Sequence, residues 1–330
     1  GYQNIIFLTA GELLEAVSGQ SWDDYLREHI FSPLGMDRTT TTTRGISARG
    51  NVATPHVLIE GEVIPVGWRN FDNVGGAGAI NSSALEMAEW VRLHLGEGVY
   101  EGDTLVSEAV IREMQTPQTV IRRSRTTREI FPETHFQAYG LGWSLRDYRG
   151  LKVVSHGGSL DGMRTQVGMI PELDLGVVAI TNLNNSWIPQ AVMYQVFDAF
   201  LEPREKNWSA VMQERWLQSQ EEAEERRREE EEARVEGTTP SLPLEAYVGT
   251  YEDILYGTAE VWLEDGTLML QVGPSFVGEL EHWHFDTFRA HWRDEQLGRA
   301  WVQFRLDRRG EVEEVDVQGW RAFQKTGGGG

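Results

Sequence analysis

The sequence predicts an α+β fold followed by a helical linker and a small all-β, barrel-like domain. Apolar residues recur at helical spacing from about Gly1 to Gln118, and strand-like apolar runs follow between Leu151 and Thr181. Short strand patterns separated by turns fill the chain after Leu244. Because helices and strands are segregated along the chain, alternating βαβ units are not expected.

These patterns divide the chain into four segments. We expect a helix-and-sheet domain at 1–201, a charged helical linker at 202–240, a small antiparallel β domain at 241–326 and a glycine tail at 327–330. At roughly 150 residues per domain, the length of 330 residues also suggests two domains.

Serine caps and a glycine stop place the helices of the first domain. A helix running from about Ile5 is expected to end at Gly19, and Trp22 to Phe31 forms the next helix. Two further helices begin near Met87 and Val110. The capping serines are Ser21, Ser83 and Ser107.

The sheet of this domain is predicted from three apolar runs. Leu151 to Ser155 is a short strand, while Arg164 to Ile170 and Leu175 to Thr181 form a hairpin around a Pro-Glu-Leu-Asp turn. Ile188 to Leu201 closes the domain as an amphipathic helix. A charged helix over Glu205 to Glu236 follows, and without an a/d apolar seam after its first half it is interpreted as a solvated linker rather than a coiled coil.

The last domain consists of short strands at even spacing, which is typical of a small antiparallel barrel or sandwich. Its aromatic residues are expected to fill the barrel core, with an apolar ligand in the barrel mouth as the alternative. The predicted strands are Tyr247–Tyr251, Ala259–Leu263, Leu268–Val272, Glu279–Trp283, Thr287–Trp292, Ala300–Leu306 and Val312–Val317.

Composition excludes several classes of protein. Acidic residues number 51 against 30 basic ones, for a net charge of −21, so a nucleic-acid partner is not expected. The chain has no cysteine, which excludes a disulfide scaffold, an iron–sulfur cluster and a cysteine nucleophile. No apolar run reaches the roughly 18 residues of a membrane span.

Two motifs could carry chemistry. Tyr2-Gln3-Asn4 immediately precedes the first helix, and Ser155-His156-Gly157-Gly158-Ser159 follows a predicted strand. Paired glycines at a strand end let backbone N–H groups approach a ligand closely, and a histidine beside them can donate a hydrogen bond or move a proton. On its own, the second motif is more typical of a tight turn with a hydrogen-bonded histidine.

Together with their surroundings, these motifs resemble the β-lactamase and penicillin-binding-protein superfamily of serine hydrolases, most closely its class C-like branch with esterases and D-amino-acid peptidases. The resemblance covers residues 1 to about 201, and the domain after 244 is similar to a β domain often appended to such hydrolases. The further matching segments are Val17–Ser21, Ile30–Met36, Gly75–Gly78, Tyr139–Trp143 and Thr181–Asn182.

The resemblance implies acyl-enzyme catalysis, in which the Ser of a Ser-x-x-Lys motif attacks an acyl carbon. Tyr2 would share the proton transfers with the Lys, and Asn4 would hydrogen-bond the substrate or the Lys. His156 with Gly157 and Gly158 would occupy the edge strand, and the N–H of Ser159 would be an oxyanion donor. Ser155 and Gly157 would contact the substrate. No cofactor or metal is implied.

The sequence departs from the family pattern at two points. No Ser within these 330 residues is followed by Lys three positions later, so the motif is expected to precede Gly1 and the isolated chain to be inactive. In addition, His156 stands where many relatives carry Lys. Histidine has a reference pKa near 6.5 and is mostly neutral at pH 7, which favours esters or amides over β-lactams.

The segment expected upstream would also contribute strands to the sheet. Leu175 to Thr181 is therefore expected to be an edge strand through which the isolated chain associates. The upstream segment itself is then a partner, beside a small-molecule or peptide acyl substrate. The resemblance implies a periplasmic or extracellular location in a bacterium.

Three alternatives stay open. The protein could be a non-catalytic ligand-binding protein that uses the hydrolase cleft or the β domain. Gly76-x-Gly78 is similar to part of a phosphate loop, although no strand precedes it. His282 and His284 would share one face of a strand and, with Asp286, could hold a metal.

Overall fold

The structure is a computed structural model that describes residues 2–202 and 204–326. The predicted tail at 327–330 lies outside the described residues. The chain separates into two compact units, one up to Ser219 and one from Gln220 onwards. The fold is α+β in the first unit and all-β after the linker helix in the second, as the sequence predicts.

Serines cap three of the helices of the first unit where the sequence predicts them. The side chains of Ser21, Ser83 and Ser107 each accept a hydrogen bond from a backbone N–H in the first turn, and Gly19 ends α1 in the left-handed conformation. A π-helical turn, Arg27–Phe31, continues α2. The helices are α1 (Asn4–Ser18), α2 (Trp22–Leu26), α3 (Gly75–Gly78), α4 (Ala84–Leu95), α5 (Glu108–Met114), α6 (Arg125–Ile130) and α7 (Ile188–Phe200).

The main sheet of this unit is antiparallel, with strand order β10-β9-β8-β7-β6-β5. Its strands are β5 (Thr119–Ile121), β6 (Gln137–Tyr139), β7 (Ser144–Tyr148), β8 (Leu151–Leu160), β9 (Met163–Ile170) and β10 (Leu175–Thr181). The predicted edge strand β10 is indeed at the edge of the sheet. Two small hairpins accompany the sheet, β1 (His56–Ile59) with β2 (Glu62–Pro65) and β3 (Val99–Tyr100) with β4 (Asp103–Thr104).

Helices cover both faces of the sheet. Val91 of α4 packs against Gly176 on one face, and Met193 and Phe197 of α7 pack against Gly168 on the other. Since a side chain at either glycine would collide with these residues, the glycines allow the helices to approach the strands closely. Two core clusters of this unit therefore lie between the sheet and its covering helices, and a third surrounds Phe31, Leu34 and Leu93.

The structure corrects the predicted extent of β8. The apolar pattern alone indicated a strand that stops at Ser155, whereas the resemblance placed His156 to Gly158 on a strand. The strand continues to Leu160 and pairs with β9 along this stretch. Pairing with β9 therefore holds Gly157 and Gly158 in a strand. The region before Gln118, read as helices and loops, also contains the hairpins β1–β2 and β3–β4, and β5, β6, β7 and α6 were not predicted.

The linker helix α8 covers Trp208–Glu232, somewhat less than the predicted range. Trp208 and Met212 near its start are buried in the first unit. From Glu221 onwards its side chains are exposed apart from Ala223. This charged half therefore has the composition and exposure of a solvated helix.

Strands β11 to β18 of the second unit form a closed antiparallel barrel. They are β11 (Gly249–Asp253), β12 (Gly257–Glu264), β13 (Thr267–Val272), β14 (Phe276–His284), β15 (Thr287–Trp292), β16 (Arg299–Leu306), β17 (Val312–Val317) and β18 (Phe323–Lys325). The closing strand β18 was not predicted, and Tyr247 lies in a 3₁₀ turn rather than in the first strand.

Side chains fill the interior of the barrel. Tyr247, Tyr251, Phe288 and Phe304 are buried there and contact one another through their rings. The expectation that all the aromatic residues would share this core was too broad. Phe285 is exposed, and Trp301 is half-buried because it alternates along its strand with inward-facing neighbours.

Candidate active site

The first candidate residue, Tyr2, lies just before α1 and is surrounded by aromatic rings. Its ring centroid is 5.5 Å from that of Phe7, 5.6 Å from Tyr139 and 6.2 Å from His156. Tyr2 and His156 are about 150 positions apart in the sequence. The fold therefore brings the two predicted motifs to one place.

The predicted site residues on β8 divide between the two faces of the sheet. Successive side chains of a strand point to opposite faces, so His156 and Gly158 share the face on which Tyr2 lies. Ser155, Gly157 and Ser159 belong to the other face, and Ser155 is buried there. The predicted contact of Ser155 with substrate therefore cannot involve its side chain, which corrects that expectation.

Beyond Ser155, β8 has a free edge toward β7. β7 pairs with β8 only as far as the Ser144–Ser155 pair, whereas β9 pairs with β8 through to the Leu160–Met163 pair. Backbone groups of residues 156–160 that point away from β9 are therefore available to a ligand. Asn4, the first residue of α1, is exposed.

Among the described residues, the ring of His156 has a hydrogen-bond contact with Tyr139. The Tyr139 hydroxyl lies 3.1 Å from Nε2 of His156. Burial lowers the pKa of His156, and the Gly157 backbone partly opposes this effect. Burial and the neighbouring Tyr2 raise the pKa of Tyr139 to about 12. At neutral pH the pair is therefore an uncharged imidazole beside a protonated phenol.

Close backbone packing positions the glycines near this site. Gly76 in α3 approaches α1 so closely that a Cβ would lie 2.6 Å from the carbonyl oxygen of Phe7. Gly78 faces Leu160 of β8, and a Cβ on Gly158 would lie 2.7 Å from the Thr165 hydroxyl. Gly76-x-Gly78 therefore serves helix packing in this structure and does not form a phosphate loop.

The barrel histidines do not form the expected metal site. A register shift between His282 and His284 breaks the alternation that would have placed both on one face. His282 contacts the carbonyl of Phe285, and His284 accepts a hydrogen bond from the Val235 N–H. Asp286 accepts hydrogen bonds from Tyr247 and Ser241. Among the residues that the structure describes, no His, Asp and Glu cluster suited to a metal was found.

The hydrogen bond between Tyr139 and His156 was not predicted from the sequence. Tyr139 belongs to a segment that resembled the family, but the residue received no role. The Gly-Leu-Gly turn after Tyr139 indicates that a strand ends there but gives no partner for the side chain. Its position opposite His156 depends on the register of three strands.

Comparison with known proteins identifies the family. Residues 1–196 match the family model described as Beta-lactamase, and residues 233–326 match one described as Domain of unknown function (DUF3471). Since the first match covers more than half of the chain, the protein belongs to the beta-lactamase family. It has the β-lactamase and penicillin-binding-protein type of serine hydrolase fold.

Similar proteins include hydrolases from fungi and bacteria. Unguisins hydrolase ungD' of Aspergillus campestris is 27% identical over 81% of this chain and 50% of its own length. A D-aminopeptidase of Cereibacter sphaeroides is 30% identical over 55% of this chain and 31% of its own. The chain therefore spans about half the length of the first relative and less than that of the second.

One solved structure shows the same fold. The octameric penicillin-binding protein homologue from Pyrococcus abyssi has a TM-score of 0.55 and 20% identity, over 98% of this chain and 64% of that chain. Separately, none of the helices within residues 2–202 and 204–326 has the length and hydropathy needed to cross a bilayer.

Proposed function

We propose that this chain forms part of a serine hydrolase that cleaves an ester or amide through an acyl-enzyme. The observation that carries the proposal is the convergence of Tyr2 and His156 beside the free edge of β8. In this proposal, the nucleophilic Ser and its Lys come from a Ser-x-x-Lys segment outside the 330 residues, and the chain alone is inactive. No metal or cofactor takes part.

Each site residue has a role in this reaction. The serine hydroxyl attacks the acyl carbon while its proton passes to Tyr2, which the Lys keeps basic. The same proton then goes to the departing alkoxide or amine, and water repeats the sequence on the acyl-enzyme. The N–H of Ser159 stabilises the oxyanion, Gly157 and Gly158 let the substrate approach β8, and Asn4 orients the Lys or the substrate.

The charge state of His156 supports esters and amides as substrates. A lysine at this position would hold an anionic carboxylate by its fixed charge. Burial lowers the pKa of His156, so at pH 7 the ring supplies no such charge. A β-lactam or a peptide with a free carboxylate consequently loses that attraction.

Exposure of α1 supports a further segment that packs there. In this helix, whose residues are all described, no side chain is buried. Ile5, Ile6 and Leu13 are each more than 60% exposed, and Val17 is 80% exposed. At about 25 cal/mol per Å², covering a few hundred Å² of such surface would contribute several kcal/mol to stability.

The remaining proposals concern the rest of the protein. We place the boundaries at 1–201 for the hydrolase domain, 202–240 for the linker and 241–326 for the β domain. The location proposed is periplasmic or extracellular.

The test begins with the coding sequence upstream of Gly1. A longer protein that includes an upstream Ser-x-x-Lys segment is assayed with p-nitrophenyl esters, D-amino acid p-nitroanilides and nitrocefin. We expect turnover of an ester or an anilide in preference to nitrocefin, and loss of roughly 10²–10⁴-fold in kcat on Tyr2→Phe. Tyr100→Phe is the matched control, because its hydroxyl bonds only Glu89 in the described contacts.

Two results would contradict the proposal. One is turnover by the 330-residue chain alone that disappears in Tyr2→Phe, because another nucleophile would then act at this site. The other is a complete upstream sequence without Ser-x-x-Lys, which would favour the non-catalytic ligand-binding protein.

A further inference from the structure

The face of β8 on which Tyr2 lies has an opening at Gly158. Along this face the strand presents His156, Gly158 and Leu160 in turn, because every second side chain points the same way. Gly158 has no side chain, and no residue of β7 pairs with β8 beyond Ser155. Since a strand rises about 3.3 Å per residue, the backbones of His156 and Leu160 lie roughly 13 Å apart on either side of this opening.

Thr165 of β9 borders the same opening. It pairs with Gly158, so its side chain lies on the same face of the sheet. A Cβ on Gly158 would lie 2.7 Å from Oγ1 of Thr165, which places the hydroxyl beside the space that a side chain at position 158 would fill. Thr165 is half-buried, and none of the hydrogen bonds found among residues 2–202 and 204–326 involves its hydroxyl.

A hydroxyl in this position can bind a ligand in two ways. It has one O–H donor and two acceptor lone pairs, so it can hydrogen-bond a carbonyl oxygen or an amide N–H. A ligand that lies along the free edge of β8 passes over Gly158, where no side chain separates it from Thr165. The Thr165 hydroxyl is therefore within reach of such a ligand.

We propose that Thr165 is a substrate-binding residue whose hydroxyl hydrogen-bonds a neutral polar substituent, such as an amide, on the acyl part of the substrate. This inference rests on the proposed function, in which the N–H of Ser159, the residue after Gly158, stabilises the oxyanion. A substituent next to the acyl carbon then lies at the opening, where it replaces water as the partner of the hydroxyl. The substrate class is accordingly an acyl compound with a neutral hydrogen-bonding group beside its acyl carbon, rather than a simple alkanoate ester.

The test is ligand binding to the 330-residue chain, followed by NMR titration. The probe is N-acetylalanine methyl ester in both enantiomers, and methyl 2-methylpentanoate is the comparison ester without an amide. We expect the amide ester to shift resonances of residues 156–165, and Thr165→Val to weaken its binding about 2- to 12-fold, as the loss of one hydrogen bond does. Binding of the ester without an amide should stay unchanged in this variant. Thr165→Ser keeps the hydroxyl and should retain most of the affinity for the amide ester.

Thr181→Val is the matched control, because the Thr181 side chain lies on the opposite face of the sheet and its hydroxyl contacts the carbonyl of Arg164. We expect this variant to bind both esters as the unsubstituted chain does. Equal losses for both esters in Thr165→Val would overturn the proposal, because they would indicate only a structural role, and so would unchanged binding of the amide ester.

Two results with the unsubstituted chain would also overturn it, and neither needs a variant to fold. One is an absence of binding of the amide ester, and the other is a preference for the ester without an amide. Failure of the proposed function would instead appear as a lack of hydrolysis by the longer protein, while binding of the amide ester still depends on Thr165.

Discussion

A buried histidine in the first unit gives the sharpest test of the packing described above. His94 in α4 is only 2% exposed and lies between two indole rings, with centroids 4.5 Å from Trp90 and 4.9 Å from Trp143. Neither ring nitrogen has a hydrogen-bond partner among the described residues. Burial accordingly lowers the pKa of His94 from 6.5 to about 4.

The sign of the effect follows from proton linkage. Between pH 6.5 and 4 the unfolded chain binds a proton at His94 that the folded unit does not bind, so stability falls as the pH falls. From the two pKa values, we expect a loss of about 2 kcal/mol between pH 7 and 5 and about 3 kcal/mol by pH 4. In His94→Leu this loss should disappear, because leucine does not titrate.

The assay is pulsed hydrogen exchange at increasing urea, read on the peptide 84–95, which reports the first unit separately from the barrel. The exposed His29 provides the matched control, and His29→Leu is expected to keep the pH dependence of the unsubstituted chain. Equal slopes of unfolding free energy against pH in the unsubstituted chain and in His94→Leu would refute the reasoning.

Three further predictions concern the same unit. Asp198 is buried and accepts hydrogen bonds from Tyr148, Arg149 and Trp208. Asp198→Ala should therefore lower the free energy of unfolding, measured by urea titration, by about 3–5 kcal/mol, and a loss under about 1 kcal/mol would contradict this. Gly158→Ala should lower the free energy of unfolding by about 1–3 kcal/mol, because the new Cβ would collide with the Thr165 hydroxyl. Adding Thr165→Ala should restore most of this stability, and additive losses in the double variant would rule out the collision. Ile180→Lys on the edge strand should reduce self-association in sedimentation velocity, and a chain that is already monomeric at high concentration would disprove association through β10.

Local signals made much of the fold predictable. The caps at Ser21, Ser83 and Ser107 and the stop at Gly19 are bonds within one helical turn, so sequence alone places them well. The extension of β8 to Leu160 depends instead on pairing with β9, and glycines by themselves favour a turn there. Nonlocal pairing also explains why β5, β6 and the closing strand β18 were missed, since each has only three residues.

The candidate site was predictable only to the extent that its motifs were. The resemblance brought Tyr2 and His156 together, and their ring contact in the structure agrees with that expectation. Strand register decides on which side of the sheet Ser155 lies and brings Tyr139 within hydrogen-bond distance of His156. A one-residue change of register would reverse every side chain of β8, so no local pattern contains this information.

Charge gives the last constraint on what such a cleft accepts. The chain carries a net charge of −21, and this field disfavours the approach of an anionic substrate. Within the cleft, a fixed cation at the free edge of β8 could offset that repulsion, but the side chain there is His156, whose pKa burial lowers. For the reaction proposed above, both the long-range field and the local group would favour a neutral or cationic acyl compound. In the proposed reaction, the attraction between the cleft and its substrate then comes from backbone hydrogen bonds along residues 156–160 and from the rings of Tyr2 and Tyr139, since these interactions need no negative charge on the substrate.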